Sequence, residues 1–241
     1  GVESKLPLPF VRRDRESGLT PAMRFGVHDF ALSASLTARL EDGARGARVT
    51  LNVLVQAALG ILLSRYTGSC DVVFGAVTSG RPPELSGAET MAGLLINTLP
   101  VRMKPNPAQT VREMLQQLQQ DNLQLRAHEY AALSDVRNWS DVAAGETLFD
   151  IIYVFENYPL GDVYAETATL PVAKAWAVGH QHNPLTIAVV PNKEMGLYFS
   201  FDEYYYEAAT IERLFAHLTR VLEALAQDPS RRIADIDILA P

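Results

Sequence analysis

Between Asp71 and Arg102 the chain reads DVVFGAVTSGRPPELSGAETMAGLLINTLPVR, and four of its residues are of the types that hold or polarise a ligand: Ser79, Arg81, Asn97 and Thr98. Ser79 and Arg81 lie in a Ser-Gly-Arg-Pro turn after one apolar run, and Asn97 and Thr98 interrupt a second. An unpaired amide or hydroxyl between buried strands is costly. Polar groups in such a place have a reason, and a site is the usual one. The chemistry on offer is hydrogen-bond donation, with Arg81 suited to a carboxylate. A structural reading stands beside it, in which Arg81 holds the Gly-Arg-Pro turn and Asn97 caps a strand end.

Other residues are weaker candidates. His180 and His182 are two apart and share one face of a strand, as metal ligands do. No Cys or acidic third ligand sits at a recognisable spacing, so a loop or channel-lining role is expected and a metal site is not. His128 beside Glu129 has the form of a general base and its orienter, but a helix end also suits a protonated imidazole. Cys70 has no local partner to activate it and reads as a small turn residue. His28 and Asp29 read as a solvated edge of the first strand. Tyr204, Tyr205 and Tyr206, near Phe199 and Phe201, read as a strand end packed on the last helix. The glycines between 80 and 93 form neither GxGxxG nor a phosphate-binding loop.

These groups need elements to position them. Residues 1 to 20, with Pro7, Pro9 and the charged string Arg12–Glu16, read as a linker, and 21 to 241 as the folded part, long enough for one large domain or two small ones. Arg24 to Ala31 alternates as a strand. Ser33 caps a short helix to about Asp42, ended by Gly43 and Gly46. Thr50 opens LNVLVQAALGILLSRY, apolar on nearly every side and therefore a central helix. Asp71–Val77 and Leu94–Met103 read as strands. Thr110 and Glu113 form a capping box before a helix whose inner stripe is Val111, Met114, Leu115, Leu118 and Leu125. Phe149–Phe155 is a strand, 158 to 179 a crossing loop with short strands, and Leu185–Val190 with Gly196–Phe201 a hairpin around Pro191 and Asn192. Thr210 to Ala226 is an amphipathic helix stopped by Asp228 and Pro229.

Composition bounds the function. A hydrophobic content of 48% suffices for a real core, and a net charge of −7 argues against nucleic acid. No run of 18 apolar residues predicts a membrane span. A single cysteine excludes an internal disulfide and fits a reducing cytoplasm.

Taken in order, the motifs resemble the condensation domains of nonribosomal peptide synthetases. Ser79-Gly80-Arg81-Pro82 is similar to that family's (S/A)GR(P) turn, and MAGLLINTLPVR to its (I/V)GxF(V/I)NTLPVR motif. His128-Glu129-Tyr130, SDVRNWS, LFDIIYVFENYP, Asn183-Pro184-Leu185 and the closing FDEYYYEAATIERLFAHL follow in the family's order. The hallmark His-His-x-x-x-Asp-Gly is missing: of His28, His128, His180, His182 and His217, no two are adjacent.

The resemblance implies an α/β chloramphenicol acetyltransferase-like two-layer sandwich, a mixed sheet with flanking helices. It also implies one lobe, the C-terminal one, of a two-lobe domain about twice this size. It implies amide formation between a donor acyl or peptidyl thioester and an acceptor aminoacyl thioester, with no catalytic residue in this chain and the catalytic His in the other lobe. Ser79, Arg81, Asn97 and Thr98 become substrate-channel residues, with Ser79 and Asn97 sized to orient the acceptor amine or a water. Oriented donors lower such a barrier by about 2.7–4 kcal/mol each, and holding two reactants in register contributes about 7–11. No cofactor is expected to bind directly; phosphopantetheine arms tether the substrates. The implied partners are the N-terminal lobe, donor and acceptor peptidyl carrier proteins and an adjacent adenylation domain. A non-catalytic lobe that docks a carrier protein is the alternative, and part of an epimerisation domain a lesser one.

Overall fold

The computed structural model describes residues 2, 6–7, 25–81, 86–87, 90–143, 145–156 and 183–239. The crossing loop expected over 158–179, His180, His182, Pro82 and nearly all of the stretch read as a linker lie outside them. Two apolar residues of that stretch are described with their contacts. Leu6 is buried in the main core, and Val2 packs on a smaller cluster.

Six strands form one mixed sheet: β1 (Phe25–Ala31), β2 (Val72–Thr78), β3 (Asn97–Met103), β4 (Ile151–Phe155), β5 (Leu185–Val190) and β6 (Gly196–Asp202), in the order β1-β6-β5-β4-β2-β3. The central pairs β2–β4 and β4–β5 are parallel, and the outer pairs are antiparallel. Alternation assigns the faces. Phe74, Tyr153, Ile187 and Phe199 point to the helices, whereas Val73 and Ile152 pack on the opposite face with Val142, Leu148 and Phe149.

Helices α1 (Ala34–Ala47), α2 (Leu51–Thr67), α3 (Val111–Arg126) and α5 (Ala208–Gln227) build the main core against the first face, and the short α4 (Leu133–Asn138) adds Leu133 and Val136 to the second cluster. α2 buries an unbroken run from Val53 to Leu63, as its all-round apolarity predicts. Ser33, Thr50 and Thr110 cap α1, α2 and α3 with their hydroxyls, and Thr110 forms the full capping box with Glu113.

Two boundaries differ from expectation. α1 does not stop at Gly43; it runs through both glycines to Ala47, and Arg48 in the left-handed region (φ 60°) ends it. Gly43 lies on the packed side, where an added Cβ would sit 3.6 Å from the Ala226 Cα of α5. β3 begins at Asn97 rather than Leu94, because β2 ends at Thr78, its partner in register. No single helix among the described residues is long and apolar enough to cross a membrane.

Candidate functional site

The carboxyl ends of parallel strands β2 and β4 and the amino end of β3 meet at one end of the sheet, the end where open α/β sheets hold ligands. Ser79, Gly80 and Arg81 leave β2 there, and Asn97 and Thr98 enter β3 beside them, opposite Thr78 and Val77. The topology therefore brings all four sequence-predicted site residues together.

The turn is locked by contact. Gly80 has φ 61°, and a Cβ there would fall on the Leu95 carbonyl oxygen, so only glycine lets the two backbone segments approach. The Arg81 backbone N–H donates to Ser79 Oγ at 3.3 Å, and its guanidinium donates to the Met91 carbonyl at 3.2 Å and the Ser79 carbonyl at 3.4 Å. Arg81 thus ties both ends of the 79–91 loop.

Asn97 is engaged on all sides of its amide. Nδ2 donates to the carbonyls of Glu129 (2.9 Å) and Ala131 (2.7 Å), and Oδ1 accepts the Thr98 N–H at 2.8 Å. An amide has two donors, and both hold the turn after α3. The neighbouring Thr78 Oγ1 is buried with no hydrogen-bond partner among the described residues.

His128 sits in that turn, past the end of α3, with its ring 6.4 Å from the Tyr130 ring. Cys70 is exposed in the loop between α2 and β2. His28 is half-buried, edge-on to the Phe201 ring at 5.6 Å, while Asp29 is exposed. Of the tyrosine run, Tyr206 is buried in the core, and Tyr204 and Tyr205 meet edge to face in the turn after β6.

Sequence reasoning missed two polar arrangements. At the other end of β2, Arg102 Nε and Nη2 donate to the two Asp71 oxygens at 2.8 and 2.6 Å, with Lys104 3.7 Å away. These bonds hold the Asp71 carboxyl below the usual carboxylate range. On the helix-covered face, Tyr153 donates to Asn52 Oδ1 (2.9 Å), and Asn122 donates to Gln56 Oε1 (2.7 Å). Burial pushes the Tyr153 phenol well up, so it remains a donor. The signal for the second pair was a glutamine in the most apolar helix of the chain.

The condensation-domain family model matches residues 5–241. This chain belongs to the condensation-domain family. Its relatives are nonribosomal peptide synthetases: a linear gramicidin synthase of Brevibacillus parabrevis is 38% identical over 240 residues, covering 100% of this chain and 5% of that protein. Chondramide synthase of Chondromyces crocatus is 39% identical over 227 residues, covering 94% and 6%. Among solved structures, the X-domain from teicoplanin biosynthesis superposes with TM-score 0.80 at 27% identity over 99% of this chain and 54% of its own. The first condensation domain of the calcium-dependent antibiotic synthetase superposes with TM-score 0.72 at 22% identity, covering 98% and 51%. The condensation-domain fold is therefore that of these neighbours, and the chain spans about half of each solved domain and a small fraction of each synthetase.

Proposed function

We propose that this chain is the C-terminal lobe of a nonribosomal peptide synthetase condensation domain and forms one wall of the channel in which two carrier-bound thioesters meet. The amine of the acceptor attacks the donor thioester carbonyl; an amide bond forms, the thiol of the donor's phosphopantetheine arm leaves, and the amine's proton is lost. The observation that carries the reading is the site itself: Ser79, Arg81, Asn97 and Thr98 converge at one end of the sheet, in a fold whose solved relatives are about twice as long.

Ser79 offers the hydroxyl that orients the amine or a water. Arg81 fixes the loop that carries it. Asn97 and Thr98 shape the wall. The chain contains no His-His pair, so the imidazole that handles the amine's proton comes from the complementary N-terminal lobe. Donor and acceptor carrier proteins and an adenylation domain are the remaining partners in this reading.

The solved complex of the teicoplanin X-domain with OxyB, 26% identical over 100% of this chain, favours a second reading. In this second reading the present chain is a docking platform for another protein and does no chemistry. Mixing the chain with a polypeptide that carries the His-His-x-x-x-Asp-Gly half separates the two. Restored aminoacyl transfer between loaded carriers supports the enzymatic reading; carrier binding without transfer supports the platform.

A further inference from the structure

The corner between α1 and α2 breaks a local rule. Among the described residues Arg48 is the one non-glycine with a positive φ, and it caps α1 although glycines stand nearby at 43 and 46. Glycine is the usual residue at such a cap, because a side chain is strained in the left-handed region. The cap itself uses only the Arg48 backbone N–H, which donates to the carbonyls of Ala44 and Arg45. Local rules are broken where function asks for it. The neighbouring arginines are engaged: Arg45 pairs with Asp42 at 2.8 Å, and Arg112 donates to the Gly46 carbonyl at 3.0 Å. The Arg48 guanidinium is exposed and has no partner among the described residues.

Arg48 borders a groove of about 810 Å³ over the outer face of α3, which Gln109, Gln116, Gln117, Gln119 and Gln120 also line and which none of Ser79, Arg81, Asn97 or Thr98 reaches. Gln116 donates to the Ala47 carbonyl at 3.4 Å, Gln117 donates to Asp121 at 2.9 Å, and Gln119 accepts the Thr50 N–H at 3.0 Å. An amide offers two donors and an acceptor oxygen, so the first two keep their oxygens and Gln119 keeps its NH2. The side chains of Gln109 and Gln120 have no partner among the described residues. We propose that this groove binds an extended peptide segment that carries an acidic side chain, its carboxylate on Arg48 and its main chain along the glutamines. Each peptide group presents one N–H and one C=O, which a side-chain amide matches with a donor and an acceptor. A guanidinium takes a carboxylate in a fork. From Glu113 to Gln120 the lining runs two helical turns, about 10 Å, or about three extended residues. Glu113, the other charge in the lining, repels the acidic side chain from its end and so sets the register. The acidic group is an internal side chain, because the relatives are polypeptides of which this chain matches 5–6%, and nearly all their carboxylates are side chains.

The probe is a capped pentapeptide, serine throughout except for a central glutamate, titrated into the full chain and followed by NMR through backbone and glutamine side-chain amides. A twin peptide carries glutamine at the centre. Shifts are expected at 48–50, 109 and 116–120, with the twin bound about tenfold more weakly. Arg48→Gly removes the guanidinium and keeps the left-handed cap. It holds or raises the melting temperature and brings the glutamate peptide down to the affinity of the twin. Gln120→Ala, at an exposed position of α3, weakens both peptides alike and tests the groove independently of the cap.

Equal affinity for the two peptides, shifts on another surface, no shift at millimolar peptide, or full affinity in Arg48→Gly overturns the proposal. A melting temperature lowered by Arg48→Gly overturns it too, since the guanidinium would then serve the fold. Binding is read on this chain alone, so the outcome is separate from that of the transfer assay, and the groove stands or falls whether or not the domain forms amides.

Discussion

At the residue scale, Gly80 and the Asp71–Arg102 pair sit at opposite ends of β2 and carry different kinds of energy. Gly80 combines a left-handed φ with backbone approach to Leu95. Gly80→Ala is therefore expected to cost more than about 1 kcal/mol and to abolish transfer in an assembled domain. Unchanged melting and unchanged transfer would show that the turn is not locked. The Asp71–Arg102 pair is bidentate but about a third or more exposed, with side-chain accessibilities of 41% and 34%. Solvent screening limits it, so Arg102→Met should cost only about 0.5–1 kcal/mol at neutral pH. Because Arg102 lowers the Asp71 pKa on folding, that contribution is full above the ordinary carboxylate range and fades as pH falls through the lowered value. Urea melts of wild type and variant should draw together as pH falls below the ordinary carboxylate range; a gap that stays constant into strong acid would contradict the ion-pair account. Neither feature was legible beforehand. Gly80 reads as an ordinary turn glycine until Leu95 is seen against it, and Asp71 and Arg102 are brought together only by strand register.

At the element scale, local chemistry located most of what the structure contains. The hydroxyl caps at Ser33, Thr50 and Thr110 open three helices, and all-round apolarity marks α2 as the central one. Leu62, fully buried in α2, tests that placement: Leu62→Ala should lower stability by about 2–5 kcal/mol, read by denaturant unfolding, and a loss below about 1 kcal/mol would mean α2 is not the core. Where reading failed, tertiary contacts overrode local preference. Glycine costs a helix interior about 1 kcal/mol, yet α1 runs through Gly43 and Gly46, held by the burial of Leu36, Leu40, Ala44 and Ala47. Leu94, Leu95 and Ile96 look like strand residues, but β2 ends at Thr78 and leaves them unpaired. The six-residue α4 has no side-chain cap and no buried residue to announce it.

For the whole molecule, sequence motifs in fixed order indicated the family before any contact was visible, and the mixed sheet with its helical layer agrees with them. Grouping of Ser79, Arg81, Asn97 and Thr98 was legible because two short segments flank one loop. The role of Asn97 as a clasp was not, since its partners Glu129 and Ala131 lie 32 and 34 residues away. In the proposed assembly this chain is one half of a channel whose proton-handling imidazole comes from the other half. The most direct test is single-turnover amide formation between a donor-loaded and an acceptor-loaded carrier, run with this chain alone, with the His-His half alone, and with both. Product is expected only in the mixture; product formed at the same rate by this chain alone would contradict the two-part channel.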